Sequence, residues 1–203
     1  MALHYPNGQP FERQPSAATT NYASRGMTLE EELNLSNQYY LESGLAVVHK
    51  KPTPIQIVKV DYPKRSQAVI KEAYFRTPST TDYNGVYQGY YLDFDAKETK
   101  NKTSFPLKNL HPHQVAHMQR CLDQGGICFL VIRFVTLHRV FVFPASDVIT
   151  WFQQQDQGGR KSIPLADIEA NGFELKPKLQ PVIPYLTGVD WLIQTKVGGT
   201  RGN

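Results

Sequence analysis

The sequence is short of several features that define common protein classes. Its 203 residues include only two cysteines, Cys121 and Cys128, which are too few for a disulfide scaffold or, alone, for a metal site. No stretch reaches the roughly 18 apolar residues of a membrane-spanning helix, and the N-terminus has no apolar signal core. We therefore expect a soluble, cytoplasmic protein.

Common catalytic motifs are missing as well. No Gly-rich phosphate loop with a following Lys-Ser/Thr occurs, which argues against an ATP-driven motor. No Gly-x-Ser-x-Gly segment is present for acyl transfer. His111, His113 and His117 are closely spaced, but no cysteine or acid completes a zinc site at the usual spacing. The sequence therefore does not predict zinc.

Overall charge is modest, but its distribution is uneven. The 22 Lys and Arg residues exceed the 18 Asp and Glu residues to give a net charge of only +4. Four lysines and one glutamate lie between Lys97 and Lys108, and a second basic set lies between Lys50 and Lys71. Clustered positive charge is what a phosphate-binding surface needs. The alternative is that these residues occupy solvated loops and strand edges.

The most informative segment runs from residue 80 to residue 100. Asp82 precedes a hairpin-like Gly turn, and Asp93, Asp95 and Lys97 follow on a predicted strand. Successive side chains of a strand point to opposite faces, so these three share one face. The apolar residues between them point into a core.

Two carboxylates that converge with a lysine suit divalent-metal hydrolysis of a phosphodiester. Asp82 and Asp95 supply the hard oxygen ligands that Mg²⁺ prefers, and the metal lowers the pKa of its bound water. The Lys97 ammonium then positions or polarises the attacking water. The competing interpretation is a solvated strand face.

The N-terminal third of the chain divides into an arm and a helix. Residues 1–24 contain three prolines and a Ser/Ala/Thr run, which predict a mobile arm. Thr28 and Glu31 have the spacing of a capping box, so a helix is expected to begin there and to end near Gly44.

The rest of the chain alternates between strand and helix patterns. Residues 55–60 alternate as a half-exposed strand, and residues 113–124 have helical spacing. Residues 127–134 form an apolar core strand whose hairpin partner is 140–143. Beyond Gly172, prolines and a Gly-rich tail argue against regular structure. The order of elements predicts an α/β fold with a mixed sheet.

Six segments, in one order, resemble the RecU-type Holliday-junction resolvases of Gram-positive bacteria. The resemblance extends to about residue 170. It implies the PD-(D/E)xK, restriction-endonuclease-like fold, a homodimer, Mg²⁺ or Mn²⁺ dependence, and cutting of four-way DNA junctions during recombination and repair. The segments are residues 5–8, 25–30, 49–54, 62–66, 71–75 and 97–107.

The resemblance adds two supporting site residues. Glu30 matches a first-helix glutamate that points at the metal in this superfamily, although the helix dipole alone also explains an acid there. Gln114 lies in a matching His-x-His-Gln segment, and is expected to orient the water or the lysine and to join Asp82 and Asp95 at the metal. The alternative interpretation is that Gln114 is an N-terminal helix residue that faces solvent. The family carries Glu at the position of Asp95. Because the aspartate is one methylene shorter, metal preference or turnover is expected to differ from that of the family.

The same resemblance predicts a DNA-binding stalk. It implies a nuclease domain at 25–172, a stalk inserted around 62–80, and a C-terminal segment at 173–203 with a disordered tail. Arg25 is linked in the family to a recombinase, and a branch-migration helicase is a further expected partner. The predicted DNA-binding residues are Arg25, Lys64, Arg65, Lys71, Tyr74, Phe75, Arg76, Lys100 and Lys102.

Two other functions remain open from the residues alone. One is a metal-dependent nuclease that acts on other DNA structures. The other is a weakly catalytic protein that binds junctions and modulates a recombinase. Comparing the cleavage of a four-way junction with that of its duplex arms separates the first of these from a junction resolvase.

Overall fold

A mixed six-stranded sheet forms the centre of the molecule. The computed structural model describes residues 26–61, 69–75 and 80–199, so the predicted arm at 1–24 lies outside the described residues. The strands are β1 (Val47–Lys50), β2 (Ile55–Asp61), β3 (Val69–Phe75), β4 (Tyr83–Tyr87), β5 (Tyr90–Thr99), β6 (Ser104–Pro106), β7 (Ile127–Phe134), β8 (Arg139–Pro144), β9 (Ser162–Pro164) and β10 (Phe173–Leu175). The helices are α1 (Leu29–Glu42), α2 (Pro112–Asp123), α3 (Ala145–Asp156), α4 (Leu165–Asn171) and α5 (Tyr185–Gly199).

The central sheet has the order β1-β4-β5-β7-β8-β10. Strands β5 and β7 are parallel, and the other pairs in this sheet are antiparallel. Helix α2 lies between β5 and β7 in the chain, as a parallel connection requires. The mixed α/β architecture predicted from the sequence is therefore confirmed. No helix within the described residues is long and apolar enough to cross a bilayer.

Two apolar cores lie on opposite faces of this sheet. On β5, Leu92, Phe94 and Ala96 pack into the core that includes residues of α1 and α5. The other core contains residues of α2, α3 and α4. The predicted alternation along β5 is confirmed, and it leaves the acidic face of the strand toward α2.

Helix α1 begins as its sequence predicts. The Thr28 side chain accepts a hydrogen bond from the Glu31 N–H, and the Glu31 carboxylate accepts one from the Thr28 N–H. Such caps typically contribute about 1 kcal/mol. The helix ends at Glu42, and Gly44 follows with a φ of +66°.

The predicted Gly turn after Asp82 was wrong. Gly85 lies inside β4, where a Cβ atom would come within 2.2 Å of the Val47 carbonyl oxygen on β1. Glycine is therefore required there by the close approach of a neighbouring strand. The hairpin turn is formed instead by Gln88 and Gly89, which have φ values of 50° and 81°. This two-residue left-handed turn is typical of β-hairpins.

The expectation of irregular structure beyond Gly172 was also wrong. Strand β10 pairs with β8 at the edge of the central sheet. In α5, Tyr185, Leu186 and Val189 are buried in the core that also contains Phe94. The prolines lie between β10 and α5, so they separate two elements rather than disrupt them.

Strands β2 and β3 form a separate antiparallel hairpin. Apart from Val60, which is half-buried, every residue of β2 and β3 is exposed. The half-exposed strand predicted at 55–60 is therefore a strand, but neither of its faces is covered. Of the stalk predicted at 62–80, residues 62–68 and 76–79 lie outside the described residues.

Candidate active site

Asp82 lies at the mouth of a surface cavity near the edge of the sheet. The cavity has a volume of about 370 Å³ and is lined by residues from three parts of the chain. These include Glu30 from α1, Lys50 at the end of β1, Lys51 after it, and Asp82 itself. The Lys51 N–H donates to the Asp82 carbonyl oxygen at 2.7 Å, which fixes the backbone beside β4.

Asp95 is fully buried at the centre of β5. Lys97, on the same face of the strand, places its Nζ 2.9 Å from Asp95 Oδ1, and the lysine side chain is 16% exposed. The Asp82 and Asp95 carboxyl groups are also within hydrogen-bonding reach of each other. The structure thus brings together the three residues that the sequence predicted. The solvated strand face, which was the competing interpretation, is wrong because both Asp93 and Asp95 are completely buried.

The pKa of Asp95 is strongly perturbed. Burial raises the pKa to about 7, the nearby Lys97 opposes that rise, and the Asp82 carboxylate adds to it. Two carboxylates that meet in a buried site cannot both ionise without a compensating cation. A divalent cation would provide the compensation that Lys97 supplies only in part.

Gln114 links α2 to the acidic strand. Its Nε2 donates to Asp95 Oδ2, and its Oε1 accepts from the His111 N–H at 3.2 Å in the capping interaction at the start of α2. Because Gln114 is buried, the alternative of a solvent-facing residue does not apply. In this arrangement the side chain contacts Asp95 through its amide nitrogen, whereas its roles as a metal ligand and in orienting the water or the lysine stay predictions.

Glu30 faces the same cavity as Asp82 but has its own partner. Its carboxylate contacts the Lys50 ammonium, and both side chains are more than a third exposed. The Tyr83 hydroxyl donates to the Glu30 carbonyl oxygen at 3.3 Å, which ties the first turn of α1 to β4. The structure therefore brings Glu30 to the rim of the site.

The donor set fits a hard divalent cation. Asp95 Oδ1 is buried and has no hydrogen bond among the described residues, although the Lys97 ammonium lies close to it. Asp82 presents a second carboxylate beside it, and oxygen ligands are those that Mg²⁺ and Mn²⁺ prefer. Asp82 and Asp95 are the residues that would hold the metal.

Asp93 is the site residue whose importance the sequence did not reveal. Its carboxylate contacts the Thr81 hydroxyl, the Lys51 ammonium at 2.8 Å, the Tyr91 hydroxyl at 2.9 Å and His117 Nε2 at 3.1 Å. Thr81 adjoins Asp82, and the Lys51 N–H binds the Asp82 carbonyl oxygen. Asp93 thus braces the segment that carries Asp82. The sequence pattern placed Asp93 on the shared face but gave no sign of these long-range partners.

The three histidines have different surroundings. His111 and His113 stack with ring centroids 5.3 Å apart, whereas His117 reaches Asp93 and lies 3.5 Å from Cys121 Sγ. His117 therefore has an acid and a cysteine beside it, which the spacing of the histidines in the sequence did not reveal. The acid comes from β5, 24 residues away in the chain.

The predicted DNA-binding residues are only partly described. Arg25, Lys64, Arg65 and Arg76 lie outside the described residues. Lys71 pairs with Asp61 at 3.4 Å across the β2–β3 hairpin, and Tyr74 donates to Glu72 at 2.6 Å. Phe75 is 83% exposed, and Lys100 and Lys102 are exposed after β5.

A mixed sheet flanked by helices that presents two carboxylates and a lysine is the pattern of the PD-(D/E)xK nuclease class. The family model described as "RecU: Recombination protein U" matches residues 24–191. A protein from Lacticaseibacillus casei (strain BL23), described as Holliday junction resolvase RecU, is 69% identical over 208 residues, with both chains covered in full. The chain belongs to the RecU family.

Two further similarities accompany this assignment. The Holliday junction resolvase RecU of Latilactobacillus sakei subsp. sakei (strain 23K) is 62% identical over 203 residues, which cover 95% of this chain and 97% of the relative. The solved structure of Archaeoglobus fulgidus Hjc, a Holliday junction resolvase, shares 11% identity. That alignment covers 70% of this chain and 94% of the archaeal chain at a TM-score of 0.38, which is too low to carry an argument.

Proposed function

We propose that this chain is a Mg²⁺- or Mn²⁺-dependent endonuclease that resolves four-way DNA junctions during recombination and repair. The observation that carries the proposal is the contact between the Asp82 and Asp95 carboxyl groups beside the Lys97 ammonium. Membership of the RecU family, with relatives described as Holliday junction resolvases, supports the junction as the substrate.

Each site residue has a separate role in the proposed reaction. A bound divalent cation supplies an acidified water and offsets the charge that develops on the leaving oxygen. Asp82 and Asp95 hold the cation site, and Lys97 holds the attacking water and its negative charge through its ammonium group. Gln114 keeps Asp95 in one orientation, and Glu30 accepts hydrogen bonds from water at the rim of the cavity.

A junction that is resolved needs nicks on two strands, whereas one chain carries one such site. We therefore include a C2 homodimer in the proposal, since a twofold axis supplies two identical sites to a nearly twofold-symmetric substrate. Sedimentation of the full chain tests this part, and a monomer that still made paired nicks would contradict it. Binding to a recombinase and to a branch-migration helicase stays a prediction from the family resemblance.

The decisive experiment compares substrates and metals. A labelled mobile four-way junction and its separate duplex arms are incubated with the full chain, with Mg²⁺, Mn²⁺ or EDTA. We expect paired nicks in the junction only when a divalent metal is present, and little cutting of the arms. Equal cleavage of junction and arms would favour the alternative of a general metal nuclease. Junction binding without cleavage in either metal would favour the weakly catalytic binding protein.

A further inference from the structure

A second cluster of metal-ligating groups lies beside the acidic pair. Asp93 of β5 meets His117 and Cys121 of α2, and one ligand atom from each of the three lies within 4.8 Å of the other two. His117 and Cys121 are four residues apart, so they occupy the same face of the helix. Asp93 is buried, and the other two side chains are half-buried.

Two of the three donor distances in this cluster are close to those of a tetrahedral zinc site. Typical Zn–O, Zn–N and Zn–S bonds of about 2.1, 2.0 and 2.3 Å give tetrahedral edges of roughly 3.3 Å between O and N and 3.5 Å between N and S. His117 Nε2 lies 3.1 Å from Asp93 Oδ2 and 3.5 Å from Cys121 Sγ. Both distances are close to these edges, and the third, between Asp93 and Cys121, is within 4.8 Å.

The donor chemistry separates this cluster from the catalytic pair. Thiolate and imidazole ligands select Zn²⁺ and similar metals, whereas carboxylates alone select Mg²⁺ and Mn²⁺. We propose that Asp93, His117 and Cys121 form a zinc site distinct from the Asp82–Asp95 site, with water as the fourth ligand. This inference does not depend on the proposed nuclease function.

The surroundings of Asp93 are compatible with a metal ligand. Asp93 accepts from Thr81 at Oδ1 and from Lys51 and Tyr91 at Oδ2, and an ionised carboxylate offers about four acceptor positions, so one position is left for a metal. Cys128 contacts Cys121 but does not belong to the mutually close group. It is therefore a natural control thiol.

The site connects two elements that matter for the acidic pair. Helix α2 carries His117, Cys121 and Gln114, and the last of these contacts Asp95. Strand β5 carries both Asp93 and Asp95. A metal held by Asp93, His117 and Cys121 joins α2 to β5 at a second point. Zinc binding therefore stabilises the folded chain by mass action, since the unfolded chain lacks the assembled site.

The test uses the full chain, freed of metal by chelation and titrated with Co²⁺ and with Zn²⁺ in the presence of excess Mg²⁺. We expect one equivalent of Co²⁺ to give a thiolate-to-cobalt charge-transfer band in the near ultraviolet. Zn²⁺ should abolish this band and raise the melting temperature. The Asp82–Asp95 site contains no sulfur and cannot produce the band.

Substitutions then identify the ligands. Cys121→Ser and His117→Gln should each lose the band and the Zn²⁺-dependent rise in melting temperature, while Cys128→Ser and Asp95→Asn should keep both. Circular dichroism of each variant confirms that it is folded. A wild-type chain without the band would overturn the proposal, and so would a band that survives Cys121→Ser or disappears in Cys128→Ser. A Zn²⁺-dependent rise in melting temperature that is lost only in Asp95→Asn would assign the metal to the catalytic pair instead.

Discussion

Strand β5 and the β2–β3 hairpin present charged residues in opposite ways. On β5, Asp93 and Asp95 have no exposed surface, and each carboxylate is held by several partners. On the hairpin, Lys71 and Asp61 pair while both side chains are more than half exposed, and Phe75 extends into solvent. The comparison shows that the β5 carboxylates are shielded from water, whereas the charged side chains of the hairpin are open to it.

Burial explains why these two sets of charges differ in consequence. Electrostatic interactions are stronger where water is excluded, so Lys97 opposes the rise in the Asp95 pKa that burial causes. Exposed ion pairs such as Lys71–Asp61 are screened by solvent and contribute little to stability. The hairpin charges therefore remain open to solvent.

The largest effect is expected from removing one of the two carboxylates proposed to hold the metal. Asp82→Asn or Asp95→Asn should lower the cleavage rate by at least about 100-fold, because each removes an expected metal ligand. Junction affinity should change by less than about twofold because exposed lysines and the hairpin supply most of it. Single-turnover cleavage and gel-shift binding measure the two effects. Asp61→Asn on the hairpin is the matched control, and normal cutting by either site variant would remove that residue from the mechanism.

A substitution on the hairpin should have the reverse effect. Phe75→Ser should weaken junction binding by roughly tenfold, since stacking of a base on an aromatic side chain contributes about 1–3 kcal/mol. The cleavage rate at saturating enzyme should be unchanged. Leu179→Ser, which alters another exposed apolar residue, controls for general surface effects. Full affinity in the Phe75 variant, measured by fluorescence anisotropy, would show that this ring does not meet the DNA.

A smaller effect is expected in the salt dependence of binding. If Lys100 and Lys102 contact phosphates, replacing both with Ala should reduce the slope of log affinity against log salt by roughly 1–2. The slope is measured by repeating the binding titration across a series of salt concentrations. Lys176→Ala, directly after the edge strand β10, is the control. Equal slopes in the double variant and the wild type would place the phosphate contacts elsewhere.

The smallest effect concerns pH and the metal-free protein. Since burial raises the pKa of Asp95 to about 7, the folded chain binds a proton more tightly than the unfolded chain. The stability from this proton is present below the ordinary carboxyl pKa and is lost as pH rises through about 7, at no more than about 1.4 kcal/mol per pH unit. Mg²⁺ affinity should increase over the same range because the metal requires the ionised acid.

Urea unfolding of the metal-free chain between pH 5 and 8 measures this slope. Asp95→Asn cannot bind the proton, so its stability should vary less with pH than that of the wild type. Identical pH profiles for the two proteins would mean that another group is responsible. The contrast with the hairpin would also weaken, because Asp95 would then behave like an exposed acid.

Local patterns predicted much of the architecture. The capping pair Thr28 and Glu31 located the start of α1, and the apolar run at 127–134 matched β7. Alternation along β5 correctly assigned Phe94 to a core and Asp95 to the opposite face. These predictions succeeded because they depend on periodicity and on contacts within a few residues.

Other features depend on residues that are distant in sequence. Glycine is common in turns, but Gly85 lies inside β4, where the close approach of β1 leaves no room for a side chain. The segment beyond Gly172 forms regular structure because α5 is covered by the core around Phe94. Tertiary packing overrides local propensity in both cases.

The sequence by itself located α1, β5, α2, β7 and β8, and it determined the two-faced character of β5 and the residues Asp82, Asp95 and Lys97 as one candidate set. Only the tertiary structure decided that Asp95 is buried against Gln114, and that Asp93 meets Lys51, His117 and Cys121 across α2 and β5. The physical reason is that a carboxylate's pKa, partners and metal preference depend on the groups within a few ångströms of it. Here those groups come from separate elements whose positions are fixed by the packing of the sheet and its helices.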